Sequence, residues 1–363
     1  MPMVNEDILN ASNRRQITLE RLKKGNQKNI SEYLSELDKE LILIVTKAGE
    51  LQDLSKKQLN SLIAEVNIAV NKYSDRVIAL SDDTSKDLLP LESEFNANLL
   101  NRVIKTVGYS AIALEADFLY SKYYNAILNE GNGKATTVPK AESKLKSSNS
   151  AKIEGAINSS FSNALNTTAL LTVLRGTKQN RFTDGVFLSI SNASNTLSNS
   201  LLQHASVTAK AQTGIKNGVK RYTWLATIDG RTTSQCRSLD ELDTIYVFGQ
   251  GPLPPLHYNC RSSIIYIIDG RLAQTENDGQ RIARNQKGKT VLISSETGYY
   301  TWLRTQPKQF QVDVLGKTRA NLFSNGGLSS KQFAKLNVNK NYEPITIDEM
   351  RKRNSTAFEL AGI

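Results

Sequence analysis

Apolar residues in the first half of the chain recur every three or four positions, the spacing that gathers them on one face of a helix. One such stripe runs through Ile30, Leu34, Leu37, Leu41, Ile44 and Ala48. A second helix is predicted to open at Ser55, because the Ser-x-x-Gln spacing to Gln58 is that of a capping box. Its pattern runs to about Leu80, where Ser81-Asp82-Asp83 predicts a break.

Further helices are predicted up to about residue 217. Pro90 favours the start of a third helix, and a fourth is expected over residues 111–128, before Gly131-Asn132-Gly133 interrupts the pattern. The segment 134–217 is rich in Ser, Asn, Thr and Ala, but its apolar residues keep the helical period, which favours helices over disorder. A turn at Leu174-Arg175-Gly176-Thr177 is expected to divide this segment.

After residue 221 the period of the hydrophobic positions changes to two, which is typical of strands. The segment 222–228 predicts a strand that ends at Asp229-Gly230, a hairpin-type turn. Two more strands are predicted over 244–248 and 263–268. The stretch 249–257 between them is too rich in Pro and Gly for regular structure.

These patterns predict an α+β fold that is predominantly α-helical. Helix-like stretches return after Gly270, with turns expected at Gly298, Gly316 and Gly326-Gly327. The length of 363 residues suits two or three domains. Four regions are expected: a helical region 1–130, a Ser/Asn/Thr-rich helical region 131–221, a β-rich module 222–270 and a helical C-terminal segment 271–363.

Cysteine content and hydropathy limit the protein class. Two cysteines exclude a disulfide framework and a Cys₄ zinc site, and they are typical of a chain made in a reducing cytoplasm. The first residues lack the basic and apolar segments of a signal peptide. The longest apolar run, 41–45, is far shorter than the roughly 20 residues of a bilayer span. We therefore expect a soluble protein without a membrane partner.

The net charge of +11 is spread along the chain, with 28 basic and 22 acidic residues in 1–221, and 18 and 13 in 222–363. An even excess of this kind supports a general affinity for polyanions or acidic protein surfaces. A solvated basic surface with no such partner explains it equally well. The short cluster Arg351-Lys352-Arg353 is interpreted as an exposed helix face.

Two Gly-Lys-Thr tripeptides, at 288–290 and 316–318, do not predict nucleotide binding. A phosphate-binding loop needs another glycine five residues earlier, so that backbone amides can surround the phosphates. Those positions hold Ala283 and Gln311. Neither tripeptide is therefore interpreted as a nucleotide site.

Candidate chemistry concentrates in five residues, namely Asp229, Cys236, His257, Cys260 and Arg261. The thiols and the imidazole are zinc ligands by type, with Asp229 needed as the fourth. Alternatively, one cysteine is a nucleophile with His257 as its base. A third interpretation is structural, with loop ends fixed by hydrogen bonds and the thiols buried as small apolar groups. The structural interpretation is favoured, because nothing nearby resembles a substrate pocket or an oxyanion hole.

Trp224 lies in the first predicted strand, and it is expected to pack in the core of the β module. The alternative is a platform on which a nucleic-acid base stacks. Such platforms use several exposed aromatic side chains together, and the sequence around Trp224 does not supply them. A core position is therefore the favoured interpretation.

The segment 222–268 carries a spaced set of residues that reads W-x-A-x-x-D-x-R-T, C-x-x-L and P-P-x-H-x-x-C-R. The set comprises Trp224, Asp229, Arg231, Thr232, Cys236, Leu239, Pro255, His257, Cys260 and Arg261. This segment resembles the phage head morphogenesis family named after the Mu protein F, whose members are also described as minor head or minor capsid proteins. Less specific likenesses cover 14–22, 174–177, 300–319 and 345–350. Some relatives carry another cysteine where this chain has Ser262, which weakens the zinc interpretation.

The resemblance implies a non-enzymatic virion protein that acts in head assembly inside the capsid, near the portal vertex. The implied partners are the portal protein and packaged DNA, with scaffold or major capsid protein as further candidates. Such a protein is made in the cytoplasm of the bacterial host. Some relatives are fused to toxin or peptidase domains, but fewer than 100 residues follow residue 268 here, so no appended enzyme is expected. A Cys/His-dependent hydrolase or zinc enzyme, and a stand-alone DNA-binding protein, remain the rival interpretations.

Overall fold

The computed structural model describes residues 6–268 and 279–363. The fold is α+β and mainly helical, as predicted. Within the described ranges, none of the helices combines the length and the apolarity that a bilayer span requires. The first part of the chain contains α1 (Glu6–Ala48), a 3₁₀ helix (Leu51–Asp53), α2 (Lys56–Val103), α3 (Ala116–Asn125), β1 (Ile127–Gly131), β2 (Lys134–Thr137), α4 (Val138–Ser162), α5 (Thr167–Arg175) and α6 (Val186–Lys216).

Helices α1, α2, α4 and α6 pack around one hydrophobic core. The predicted stripe on α1 faces this core, with its most buried members Ile30, Leu37 and Leu41 no more than 2% exposed. The Ser- and Asn-rich segment forms helices, as predicted, and its small polar groups are buried between them. For example, Ser194 accepts a hydrogen bond from the Tyr73 hydroxyl at 3.0 Å. Regions 1–130 and 131–221 therefore share a core.

Helix α2 continues through both positions where the sequence predicts an interruption. The Ser81 and Ser85 hydroxyls donate to the carbonyl oxygens four residues earlier, at 2.7 and 2.8 Å, so these side chains are satisfied without leaving the helix. Pro90 lies inside the helix directly after Leu88 and Leu89, which are buried in the core. The predicted break and the predicted new helix at Pro90 are wrong, because tertiary packing outweighs local propensity here.

The predicted helix over 111–128 is too long at both ends. The observed helix α3 is followed by the antiparallel pair β1 and β2, in which Ile127 faces Thr137. Gly131, Asn132 and Gly133 all have positive φ, so they form a tight hairpin connection rather than a simple interruption. The predicted turn at 174–177 is confirmed, since α5 ends at Arg175.

The β module is a three-stranded antiparallel sheet in the order β4-β3-β5. Its elements are β3 (Arg221–Leu225), α7 (Ser234–Leu242), β4 (Tyr246–Val247) and β5 (Ser263–Ile267). All three predicted strands are present, but Asp229-Gly230 does not join a hairpin. Instead β3 pairs with β5, with Trp224 opposite Ile264, and the chain after Asp229 leads into helix α7, which the sequence pattern did not predict.

The C-terminal part begins with the antiparallel hairpin β6 (Gln280–Arg284) and β7 (Thr290–Ser294), where helix-like sequence was expected. That expectation is wrong because burial alternates along both strands, and Gly288 closes the turn with φ +70°. Turns at Gly298, Gly316 and Gly326 are confirmed as helix ends. The predicted boundary at Gly270 lies outside the described residues. The helices are α8 (Tyr299–Arg304), α9 (Lys308–Leu315), α10 (Lys317–Asn325), α11 (Ser330–Leu336), α12 (Ile347–Arg353) and α13 (Ser355–Leu360).

Candidate functional site

The residues of the sequence motif converge at one end of the β4-β3-β5 sheet. The loop after β3 supplies Asp229, helix α7 supplies Cys236, and the loop before β5 supplies His257, Cys260 and Arg261. These residues form two adjoining clusters. The first is an ion pair between Asp229 and Arg261, and the second contains the two thiols and the imidazole.

The Asp229 carboxylate lies against hydrogen-bond donors from three residues, Arg231, Thr232 and Arg261. The Arg261 guanidinium donates to both of its oxygens, at 2.6 and 2.7 Å, and the Arg231 backbone amide donates at 3.0 Å. The Thr232 hydroxyl lies 3.1 Å from the same carboxylate. Asp229 is 5% exposed. Burial alone would raise the pKa of Asp229, but the hydrogen bonds and positive charge of Arg261 outweigh burial and hold this pKa below its usual value.

An Asp229→Asn variant is expected to lower the free energy of unfolding at neutral pH by about 1.5–3 kcal/mol, because it removes charge-assisted hydrogen bonds. The folded-state pKa of Asp229 is depressed, so its stabilisation is complete above the unfolded-state pKa and is lost as pH falls through the folded-state pKa. The stability difference between wild type and variant should therefore shrink below about pH 4. Chemical denaturation at pH 7 and pH 3 measures this difference.

Asp87→Asn is the matched control, because Asp87 is an exposed carboxylate on α2. Its effect should stay within about 0.5 kcal/mol at both pH values. A stability difference for Asp229→Asn that is unchanged between pH 7 and pH 3 would contradict the assigned role of this ion pair.

The second cluster brings together Cys236, His257 and Cys260. The Cys236 Sγ lies 3.2 Å from His257 Nε2 and 3.8 Å from Cys260 Sγ. All three potential ligand atoms lie within 4.8 Å of one another. Asp229, the fourth ligand considered from the sequence, is not in this group, because its carboxylate is bound to Arg261.

The two thiols differ in their tendency to ionise. Hydrogen bonding to Cys260 and burial raise the pKa of Cys236. Burial acts in the same direction on Cys260, but hydrogen bonds from Cys236 and His257 outweigh it and lower the pKa of Cys260. Cys260 is completely buried and Cys236 is 2% exposed. A thiolate at Cys260 is therefore placed for contact with neighbouring protein groups, not for attack on a bound substrate.

The β1–β2 hairpin supports the loop that carries His257. Asn129 donates to the Pro255 carbonyl oxygen at 3.1 Å, and the Tyr258 hydroxyl donates to Glu130 at 2.7 Å. Gly131 has φ +101°, and a side chain there would approach His257 Cβ to 3.1 Å. The Gly-Asn-Gly sequence of this hairpin thus has a function in positioning the loop, as well as in closing the turn.

Of the remaining motif residues, two lie in the protein core and two lie in the loop after β3. Trp224 and Leu239 are buried in the core beneath the cluster, as expected for Trp224. A Trp224 side chain that is 1% exposed cannot stack on a nucleic-acid base. The Thr232 hydroxyl also lies 2.5 Å from the Thr227 carbonyl oxygen, which tightens the loop after β3. The Arg231 side chain is exposed.

Sequence reasoning missed a buried ion pair beside the motif. Both Arg281 guanidinium nitrogens bind Asp240, at 2.7 and 3.1 Å, and both side chains are at most 1% exposed. Arg281 also donates to the Ala226 carbonyl oxygen at 3.0 Å, and Asp240 accepts from the Ala226 amide at 2.9 Å. Strand β6 is thereby attached to β3 and α7. Asp240 directly follows Leu239 of the motif, but its partner lies in a segment that was expected to be helical.

A basic cleft opens beside the Asp229–Arg261 pair. Its volume is about 720 Å³, and it lies between the N-terminal half of α1, the loop after β3 and strand β6. Four exposed cationic side chains line it: Arg21, Lys24, Arg231 and Arg284. The exposed residues Lys287 and Lys289 lie in the β6–β7 turn next to it. This arrangement suits an extended anionic ligand.

The Gly-Lys-Thr tripeptides have no phosphate-binding geometry. The first, at 288–290, forms the β6–β7 turn, and the second, at 316–318, connects α9 to α10. A nucleotide-binding loop instead leads from a strand into a helix. This agrees with the interpretation of both tripeptides from the sequence.

Comparison of the chain with protein-family models, with curated proteins and with solved structures gives no match. The likeness to the Mu protein F family therefore rests on the motif residues, and what it implies about function is a proposal.

Proposed function

We propose that this chain is a bacteriophage minor head protein with a non-enzymatic role in head morphogenesis, bound to the portal vertex inside the capsid. The supporting observation is that motif residues spread over about forty positions form one connected unit. Asp229 and Arg261 bind each other, and Cys236, His257 and Cys260 form the adjoining cluster. The burial of both sulfur atoms favours this role over a thiol hydrolase.

The paired helices α1 and α2 are the proposed portal-binding surface. Leu43 and Ile68 are 72% and 70% exposed, far more than a core-facing leucine or isoleucine. Lys72 binds Glu40 at 3.3 Å, which places Ile68 and Leu43 at the same level of the two helices. An apolar pair on an otherwise charged surface is a suitable contact for another protein.

Co-expression with the portal protein of the same phage tests this function. A stable complex is expected on affinity purification of either chain. The double variant Leu43→Glu/Ile68→Glu should weaken this complex. Leu360 on α13 is 63% exposed, so Leu360→Glu is a control that should leave the complex intact. Failure of the wild-type chain to bind the portal protein would contradict the proposal.

The basic cleft is the proposed contact for packaged DNA. Its cationic side chains come from two walls, with Arg21 on α1 and Arg284 on β6. Phosphate contacts of this kind are independent of base sequence and weaken as salt rises. The spread of positive charge in the sequence thus includes a local concentration that the amino-acid order alone did not reveal.

An Arg21→Gln/Arg284→Gln variant is expected to bind double-stranded DNA less tightly, for every DNA sequence alike. Each lost phosphate contact should reduce the slope of log affinity against log salt by about one. Fluorescence anisotropy at several salt concentrations measures both quantities. Lys56→Gln/Lys57→Gln is the control, because it removes the same number of positive charges at the end of the α1–α2 pair that is far from the cleft. Equal slopes for the two variants would show that the cleft is not the DNA contact.

A further inference from the structure

The cluster of Cys236, His257 and Cys260 has the dimensions of a metal site. Zinc binds thiolate sulfur at about 2.3 Å and imidazole nitrogen at about 2.0–2.1 Å in tetrahedral geometry. These lengths place two sulfur ligands about 3.8 Å apart, and a sulfur and a nitrogen ligand about 3.5 Å apart. In the structure the two sulfurs lie 3.8 Å apart, Cys236 Sγ lies 3.2 Å from His257 Nε2, and all three ligand atoms lie within 4.8 Å of one another. We propose that Cys236, His257 and Cys260 bind one zinc ion.

The imidazole is already oriented as a ligand. His257 Nδ1 lies 2.8 Å from the Tyr258 carbonyl oxygen, so this nitrogen carries a proton and donates it. The lone pair of the neutral ring then lies on Nε2, which is 2.9 Å from the Thr233 hydroxyl and 3.2 Å from Cys236 Sγ. Metal-binding histidines are commonly fixed by a hydrogen bond of this type on their second nitrogen.

The two thiols are held equally firmly. Cys236 lies in the first turn of α7, where the Thr233 side chain caps the helix by accepting from the Cys236 amide. The Cys260 amide donates to the His257 carbonyl oxygen at 3.2 Å, so these two ligands belong to one tight turn. The ligand set therefore needs no rearrangement of the backbone to enclose an ion.

Charge balance favours a divalent ion at this buried position. Two thiolates and a neutral imidazole carry two negative charges, which a zinc ion neutralises completely. The protons that the ligands lose are released to solvent on binding. Two sulfurs and one nitrogen form a soft donor set, which suits zinc better than magnesium or calcium.

For the fourth ligand position, the structure offers a small space of about 20 Å³ beside the cluster, which has room for a single water molecule. Thr233, Asn259 and Ser262 line this space together with Cys236 and His257. Asp229 is not assigned as the fourth ligand, because it lies outside the group of neighbouring ligand atoms and its carboxylate is held by Arg261. We therefore assign a water molecule to this position. This inference rests on the cluster alone and does not depend on the proposed phage function.

Metal analysis of the full-length protein, purified without chelator from zinc-supplemented cells, tests the assignment. One zinc ion per chain is expected. After exchange with cobalt, the absorption spectrum should show thiolate-to-cobalt charge transfer in the near ultraviolet. Addition of zinc to the metal-free protein should also raise its melting temperature, because zinc binds the folded state. These measurements on the wild-type chain do not require any variant to fold.

Three variants locate the ion. Cys260→Ser should reduce zinc affinity more than about 100-fold, because even an outer partner of a ligand contributes about 10–100-fold. Ser262→Ala should keep full zinc content, and Ser262→Cys, which supplies a thiolate beside the water position, should bind zinc more tightly. A wild-type chain without zinc or a cobalt band, or with a Cys236–Cys260 disulfide, would overturn the proposal. Full zinc binding by a folded Cys260→Ser variant would do the same.

Discussion

Replacement of Arg281 by Met is expected to lower the free energy of unfolding by about 3–5 kcal/mol, since it leaves the Asp240 carboxylate buried without its partner. Both side chains are at most 1% exposed, so water cannot replace the lost hydrogen bonds. The same substitution also removes the donors to the carbonyl oxygens of Ala226 and Thr297. Denaturant unfolding followed by circular dichroism measures the loss.

Adding Asp240→Asn to the Arg281→Met variant distinguishes two contributions to the loss of stability, the unpaired buried charge and the lost packing. The double variant should be more stable than Arg281→Met alone, because no unpaired charge remains in the core. An Arg304→Met variant is a matched control, because this arginine is partly exposed and donates chiefly to backbone carbonyl oxygens. A loss below about 1 kcal/mol for Arg281→Met would contradict the structural role assigned to the pair.

Replacement of Trp224 by Ala is expected to lower the free energy of unfolding by about 3–5 kcal/mol, the range for removal of a large buried aromatic side chain. Trp224 lies at the centre of the sheet opposite Ile264, and it shares a hydrophobic core with Cys236 and Cys260. The cavity should also loosen the cysteine cluster. Thermal unfolding and the reaction rate of the two thiols in the native protein measure both effects.

Trp224→Phe is the appropriate control, because it keeps an aromatic ring in the core and should have a smaller effect on stability. Trp302→Ala provides the opposite comparison. It removes an equally buried indole from the core of the C-terminal helices, so thiol protection should be retained while stability falls. Thiols that stay fully protected in Trp224→Ala would contradict the proposed connection between the sheet core and the cluster.

The sequence predicted the elements whose hydrophobic period is uninterrupted. The apolar stripe lies on α1 as predicted, and the three strands of the β module lie in the segments whose apolar pattern predicted them. The five residues that the sequence grouped as candidate chemistry lie together in the structure, where Asp229 binds Arg261 and Cys236 lies beside His257. Fixed spacings between chemically distinct residues thus carry more information about this site than local propensity does.

The errors come from contacts that local sequence does not contain. Ser81 and Pro90 oppose helix formation in isolation, but α2 is held against α1 and α6 along its length. Strand β6 lies in a region that was expected to be helical, and it carries Arg281, a fully buried arginine of the kind that strands rarely contain. Only the structure shows that Arg281 forms an ion pair with the buried Asp240, 41 positions earlier in the chain.

The same reasoning explains why the basic cleft was missed. Arg21 and Arg284 are separated by most of the chain, so a count of charges along the sequence shows only an even excess. Folding places them on two walls of one cleft. Surface sites built from distant elements are visible only after the elements have been packed together.

The most direct test of the proposed function is quantitative mass spectrometry of purified, DNA-filled particles of the phage that, under this proposal, encodes the chain. We predict that the protein is present at low copy number relative to the major capsid protein, and that it remains with the portal when the heads are dissociated. A chain that is abundant in the infected cell but absent from the purified particles would contradict the account.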